Sequence, residues 1–268
     1  MSARRRRILL PGRGFDPEWP LHNLPDLAAW YTFDDADYLF ADAGSTKVTA
    51  DGDKIYQCND RSGNDYHVVQ STEANRPLWK LNIQGGRAVG RFDGANDFML
   101  HGDSIITDEQ DCTLVAVVSV AGTKNSPKMN TTMSNCASDG SGYNIAIASS
   151  SSTGTQNQLR ADTYEPSGSG IDIGTFALNV FGIASVHVDG TTRFGYKNGA
   201  LTDSGTAEDY TGGTAPDRFA VGNLVPSGDF HVFHGDIAEL IVCNADIGYG
   251  ALRALWQRYL GPKWNLPV

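Results

Sequence analysis

The chain has 268 residues, 40% hydrophobic and 19% charged, with 30 glycines; this fits one large all-β domain and excludes a disordered or collagen-like chain. The formal net charge is −10, but Arg4, Arg5, Arg6, Arg7 and Arg13 precede every acidic residue, which leaves 16 of the 21 basic residues to face all 31 acids. Such an acidic body repels phosphates, so no nucleic-acid partner is expected outside the first residues, and no apolar run is long enough to span a membrane as a helix.

Residues 1–25 read as an extended basic arm, because PGRGFDPEWP combines Pro and Gly in a way that forbids regular structure. Only Ile8, Leu9 and Leu10 separate the arginines from Pro11, too few for the apolar segment of a secretory signal, so no Sec export is expected. Ordering such an arm costs conformational entropy, so it is expected to lie against its own domain or a neighbouring subunit. The domain proper is expected over 26–268.

LAAWYTF, Leu27 to Phe33, predicts a first strand or the short helix before it. QCNDRSGNDYHVVQSTEANRP follows from Gln57, dense in turn formers. VGRFDGANDFML, Val89 to Leu100, predicts a hairpin or bulge at Asp93–Gly94. CTLVAVVSV, Cys112 to Val120, is apolar on both faces and predicts a central buried strand. The Ser/Thr/Gly/Asn-rich stretches 121–141 and 149–170 predict long loops around a short strand near Tyr143 to Ala148. FGIASVHV, Asp189–Gly190 and TTRFGYKNG predict a type I′ hairpin, and Asn198–Gly199 a second one. RFAVGN and HVFHGDIAELIVCN supply two more strands. Leu252, Leu255, Trp256, Tyr259 and Leu260 follow helical spacing, predicting an amphipathic helix stopped by Gly261–Pro262 and packed on the sandwich. Cys58, Cys112, Cys136 and Cys243 form no CxxC and predict four free thiols, most of them in strands.

The chemistry is read by elimination. Glycoside cleavage needs a pair of carboxylates facing one cleft, which period-two spacing on a strand would supply, and the sequence has no such strand and no E-x-D-x-x-E arrangement. Asp236 and Glu239 stand three apart, which predicts opposite faces of a strand, and Glu239 reads as a hydrogen-bonded structural carboxylate. No GxSxG elbow or HExxH helix is present, and His231 and His234 diverge at strand spacing. Two readings stand for Asp60, Asn64 and Asp65: a calcium loop of oxygen ligands, or a sheet corner with Gly63 at positive φ and side chains bonding nearby amides, which is preferred. The same pair of readings holds for Asp93 and Asp97. For saccharides, exposed rings and planar polar groups are needed, which singles out Tyr143, Asn144, Tyr164 and Tyr210 beside the Ser/Gly-rich loops, while Trp30, Trp79, Trp256 and Trp264 are assigned to the core or helix seam.

Trp30, NDRSGNDYHVVQSTEANRP, VGRFDGANDFML, FGYKNGAL and the ending GDIAELIVCNADI…LRALWQRYLGPKW together resemble a LamG-like domain of the concanavalin A-like lectin/glucanase superfamily, over about Leu27 to Trp264. The resemblance implies an antiparallel two-sheet jelly-roll sandwich with rim loops that in many members bind carbohydrate, sometimes with calcium. Versions with this opening and closing pattern are similar to modules of tailed-bacteriophage virion proteins and of bacterial surface proteins, and the Arg arm without a signal segment suits the phage setting better. The resulting expectation is a non-enzymatic virion structural or adhesion protein, made in the host cytoplasm and oligomeric in the particle. Its arm (Arg4 to Arg7, Arg13) would dock on capsid or tail subunits, and it could touch host glycans. The alternatives are a divergent polysaccharide hydrolase or lyase and a free-standing lectin module. No cofactor is expected beyond the calcium alternative.

Overall fold

The computed structural model describes residues 21–43, 45–122, 130–138, 143–149, 157–162, 170–207, 214–224 and 231–268. Among the described residues the strands are β1 (Leu27–Thr32), β2 (Leu39–Phe40), β3 (Gln57–Cys58), β4 (Val68–Val69), β5 (Leu78–Gln84), β6 (Arg87–Asp93), β7 (Met99–His101), β8 (Asp111–Val120) and β9 (Thr131–Cys136). They continue as β10 (Tyr143–Ser149), β11 (Gln158–Asp162), β12 (Ile171–Thr175), β13 (Phe181–Asp189), β14 (Thr192–Lys197), β15 (Ala200–Thr206), β16 (Arg218–Val221) and β17 (His234–Cys243). They form the expected antiparallel two-sheet sandwich. One sheet has eight strands in the order β15-β14-β13-β8-β17-β6-β5, with β1 added on β17; the other has nine, β12-β11-β10-β9-β16-β7-β4-β3-β2.

Strand β8 is central, flanked by β13 and β17, and nine of its ten residues are buried, as a doubly covered apolar strand requires. Its inward side chains, Leu114, Ala116 and Val118, meet Met133, Ile145, Ile147 and Phe219 from the nine-stranded sheet. Strand β17 divides its other edge between two partners, β6 over His234–Ile237 and β1 over Glu239–Cys243. A bulge sits at the change of partner, between Ile237 and Glu239, and the Ala238 carbonyl accepts the Phe33 N–H at 3.0 Å.

That bulge corrects the expectation for Asp236 and Glu239. Ile237, Leu240 and Val242 face the core between the sheets, whereas Ala238, Ile241 and Cys243 face outward. The extra residue resets the alternation, so both carboxylates emerge on the outer face rather than on opposite faces.

The outer face of the eight-stranded sheet is covered by a C-terminal helix made of α1 (Gly248–Leu255), a π turn (Trp256–Leu260) and α2 (Gly261–Trp264). Leu252, Leu255, Trp256, Tyr259, Leu260 and Trp264 all pack onto Val115, Val117, Ile183 and Ile241. The predicted stop at Gly261–Pro262 is not a stop. The Gly261 N–H bonds the Trp256 carbonyl five residues back, and this wider turn accommodates Pro262, whose ring would clash with the carbonyl four residues earlier in an ordinary α-helix. The helix ends at Asn265, which adopts the left-handed conformation (φ 52°).

Other expectations are corrected by tertiary pairing. Asp93–Gly94 begins no hairpin: β6 and β7 lie in different sheets, and Asp93 Oδ1 accepts the N–H groups of Ala95 and Asn96 to make the crossing turn. Asp189 pairs with Thr192, so the two loop residues are Gly190 and Thr191; only Gly190 has positive φ (59°), which rules out a type I′ turn. Asn198–Gly199 does form one, with φ 49° and 80° between the paired Lys197 and Ala200. The stretches predicted as loops contain β9 and β11, and β12 begins directly after the second of them. These strands carry one or two inward apolar residues each (Met133; Leu159 and Ala161; Ile171 and Ile173), too few to signal period two alone. All four cysteines lie in strands, buried and free. Leu21 and Leu24 are buried in the layer beneath the helix, so the end of the stretch predicted as an arm belongs to the body.

Candidate functional site

The helix covers Val115, Val117, Val89, Ile183 and Ala238. The next outward positions on the same strands lie past its cover, and sheet register places them in one row. Phe181 on β13 opposes Ser119 on β8, Ser119 opposes Asp236 on β17, and Asp236 opposes Arg91 on β6. This row floors an open groove of about 420 Å³, completed by Ile83, Gln84, Asn179, His234 and Gly235.

Its polar groups are held by the backbone beneath them. Arg91 grips Asp236 in a two-pronged pair, Nε to Oδ1 at 2.7 Å and Nη2 to Oδ2 at 2.9 Å. The Asp236 hydrogen bonds hold the Arg91 guanidinium above its ordinary pKa, against partial burial. Asn179 sits in the left-handed region (φ 59°), a conformation Asn tolerates, and its N–H bonds the Val120 carbonyl at 2.8 Å. His234 Nδ1 lies 2.7 Å from the Gly122 carbonyl, so that nitrogen carries the proton. Gly235 has φ 148°, and a Cβ there would come within 2.0 Å of the Ser119 carbonyl oxygen; only glycine lets β17 approach β8 at the groove floor. The apolar lining of the groove comes from Ile83, Phe92, Ala121 and Phe181, while Leu178 and Val180, 49% and 55% exposed, flank Asn179 along the chain.

The stretch from Gln57 makes the contacts that the corner reading expects. Asp60 Oδ1 accepts the N–H groups of Trp30 (2.9 Å) and Ser62 (2.8 Å), and Oδ2 accepts the Ser62 hydroxyl (2.6 Å) and the Tyr66 N–H (3.2 Å). Asn64 Nδ2 donates to the carbonyls of Leu27 and Ala28, and the Arg61 N–H to that of Trp30. The loop therefore caps the free edge of β1, whose other edge is paired to β17. Gly63 and Asp65 take positive φ (96° and 62°), and the Arg61 guanidinium lies 4.3 Å from both the Trp30 and Tyr38 rings. Both Asp60 oxygens and the Asn64 Nδ2 thus bond the protein's own chain. Among the described residues no group of three or more His, Cys, Asp or Glu gathers in metal-binding geometry. Asp97 Oδ2 likewise accepts the Asp93 N–H, the corner role again.

Of the residues singled out for saccharides, Asn144 is buried, its Nδ2 bonded to Glu109 and its Oδ1 to Asn135, so it ties strands together rather than facing a ligand. Tyr143 opens β10 opposite Cys136, but its side chain lies outside the described residues, as do Tyr164, Tyr210 and the arm residues Arg4 to Arg7 and Arg13. Trp30, Trp79, Trp256 and Trp264 are buried as expected.

Glu239 is the hub of the helix seam. Oε1 accepts from Trp30 Nε1 (2.7 Å) and the Tyr259 hydroxyl (2.8 Å); Oε2 accepts from Trp264 Nε1 (2.7 Å) and pairs with Lys263 Nζ (2.9 Å). Lys263 also pairs with Asp34 at 3.1 Å, and Arg87 Nη1 reaches Asp34 Oδ2 at 2.8 Å. Burial pushes the Tyr259 hydroxyl well up, and Glu239 adds to it. Burial also acts to raise Asp34, but Lys263, Thr32 and Arg87 outweigh it and hold Asp34 below the usual carboxylate range.

No family model matches the sequence, and no curated protein matches it. Solved structures share the fold. Domain 4 of AbnA, an extracellular arabinanase of Geobacillus stearothermophilus solved with arabinotriose, is 16% identical, with a TM-score of 0.57 over 87% of this chain and 98% of that one. The Trypanosoma rangeli sialidase, solved with 2,3-difluorosialic acid, is 12% identical, with a TM-score of 0.56 over 87% of this chain and 33% of that one. The botulinum neurotoxin serotype D binding domain is 9% identical, with a TM-score of 0.53 over 86% of this chain and 50% of that one. The chain therefore spans about a third of the sialidase and half of the toxin chain. At these identities the likeness is one of fold, a β-sandwich.

The groove was not legible in the residues. Arg91 and Asp236 are 145 positions apart, and only strand register joins them. The available signal was a pair of charges in each of two otherwise apolar strand segments, Arg91 and Asp93 in VGRFDG and Asp236 and Glu239 in GDIAEL.

Proposed function

We propose that the protein is a carbohydrate-binding β-sandwich module that holds saccharides without cleaving them, with the row Phe181–Ser119–Asp236–Arg91 as its binding floor. The observation that carries this is the groove's make-up: planar polar groups fixed on a rigid sheet beside the apolar Ile83 and Phe181, at a volume of about 420 Å³ that suits a small ligand. Asp236 is the one carboxylate among its described lining residues, and it is engaged by Arg91. Glycoside cleavage by the usual route needs two. The fold shared with an arabinanase domain solved with arabinotriose adds support. Affinity electrophoresis in gels carrying arabinan or other polysaccharides tests the reading, alongside an assay for new reducing ends. Retardation without reducing ends is expected. New reducing ends would make the protein a hydrolase; mobility unchanged in every gel would remove the binding claim.

The finer reading places this module on a tailed-bacteriophage particle through its basic N-terminal residues. It is supported by the LamG-like sequence resemblance and by guanidinium groups suited to acidic grooves on a neighbour. Deleting residues 1–14 is expected to leave a folded domain that no longer joins its particle, and incorporation of the truncated chain would refute it.

A further inference from the structure

We propose that the groove recognises a vicinal diol of a neutral saccharide, with Asp236 as the paired acceptor and Arg91 as the donor beside it; this rests on the carbohydrate reading above. Each Asp236 oxygen accepts one Arg91 N–H, at 2.7 and 2.9 Å. An ionised carboxylate offers about four lone-pair positions and no donor, so each oxygen retains room for one more hydrogen bond. The two oxygens stand side by side, as do hydroxyls on adjacent ring carbons, and only a ligand that donates can use them. Hydroxyls donate. A carboxylate or phosphate does not, and its charge would be set against Asp236.

The two hydrogen bonds to Asp236 use Nε and Nη2 of Arg91, whose side chain is 43% exposed and also feels the Asp51 charge, so among the described contacts Nη1 is left to donate to a ring or hydroxyl oxygen next to the acceptor pair. Ser119 and Asn179 line the same groove, and Ile83 and Phe181 give it apolar surface for the C–H face of a sugar ring. The excess of 31 acidic over 21 basic residues adds a field that disfavours polyanionic glycans. A cross-strand tie would also account for the pair, and the Asp236 side chain is 11% exposed against 43% for Arg91, so replacing it also loosens the strands, and binding and stability are measured in the same variants.

The test is isothermal titration of the full chain and of Asp236→Asn against arabinotriose, maltotriose, cellotriose and trigalacturonate, then against the permethylated form of whichever neutral sugar binds. The expected result is binding of at least one neutral trisaccharide, loss of binding on permethylation, and weakening in Asp236→Asn by about tenfold or more, equivalent to about 1.4 kcal/mol. Each variant is titrated well below its own thermal midpoint, so that a loss of binding is read on folded protein. Should Asp236→Asn fail to fold, Arg91→Gln removes the free Nη1 and is expected to weaken binding similarly. Binding confined to trigalacturonate, or neutral binding indifferent to both substitutions, overturns the diol inference while leaving the carbohydrate reading intact. Failure of every sugar to bind overturns both.

Discussion

Glu239→Ala should nearly dissolve the seam between helix and sheet. The carboxylate is fully buried and takes four contacts of 2.7 to 2.9 Å, from two indoles, a phenol and an ammonium. Removing one member of a buried ion pair costs about 3–5 kcal/mol because the remaining charge stays buried. Lys263 retains Asp34 at 3.1 Å, which places this part at the low end of that range. The Trp30 and Trp264 N–H groups then lose their acceptor, and a buried unsatisfied donor costs about 1–3 kcal/mol. These contributions share one site and do not add fully, so a loss of about 4–6 kcal/mol is expected, a large part of the 5–15 kcal/mol that typically holds a domain folded. Glu239→Gln keeps the volume but turns an NH2 toward donors and should lose about 2–4 kcal/mol. Urea unfolding followed by tryptophan fluorescence reads this directly, since two of the reporting indoles touch the site. A loss below about 1 kcal/mol in both variants would refute the assignment of Glu239 as the hub.

Further outcomes follow from the same structure. Asp34 is held below the usual carboxylate range, so its contribution is fully present above its unfolded pKa and is lost as pH falls through the lower folded value. Urea midpoints should therefore decline below about pH 4, and less steeply in Asp34→Asn; equal slopes would contradict the pairing with Lys263. The four buried thiols should be silent to a thiol reagent at pH 8 until urea unfolds the chain, because burial pushes Cys136 up to about 11 and Cys243 up to about 12, and Cys58 and Cys112 higher still. A thiol that reacts in the native state would contradict its placement. Gly235→Ala should cost about 3 kcal/mol or more, since the new Cβ meets the Ser119 carbonyl oxygen in a backbone region reserved for glycine; stability within 1 kcal/mol of the parent would refute that close approach.

What the sequence revealed follows the strength of each local pattern. CTLVAVVSV announced β8 because both of its faces are apolar, and the Leu252–Leu260 stripe announced the helix because its period is 3.6. Asn198–Gly199 announced its turn because both residues accept positive φ. Strands β9 and β11 were hidden because small polar residues can sit in a sheet whose stability comes from neighbours. The helix ran through Pro262 because a π turn relieved a clash that local rules treat as final. Asp236 and Glu239 were assigned to opposite faces because the bulge at Ala238 depends on β6 and β1 sharing one edge of β17, a fact of topology rather than of spacing. The groove needed the same knowledge: its four floor residues come from four strands and meet only through register.

The most direct test of saccharide binding on this floor is a backbone amide spectrum of the isotopically labelled full chain titrated with the trisaccharide that binds best. The amides of Ser119, Asn179, His234 and Gly235 should shift in a saturable way while those of Asn64, Asp65 and Asn144 hold still. Shifts centred instead on the Asp60 loop or on β10, or no shift at saturating sugar, would contradict the placement of the site.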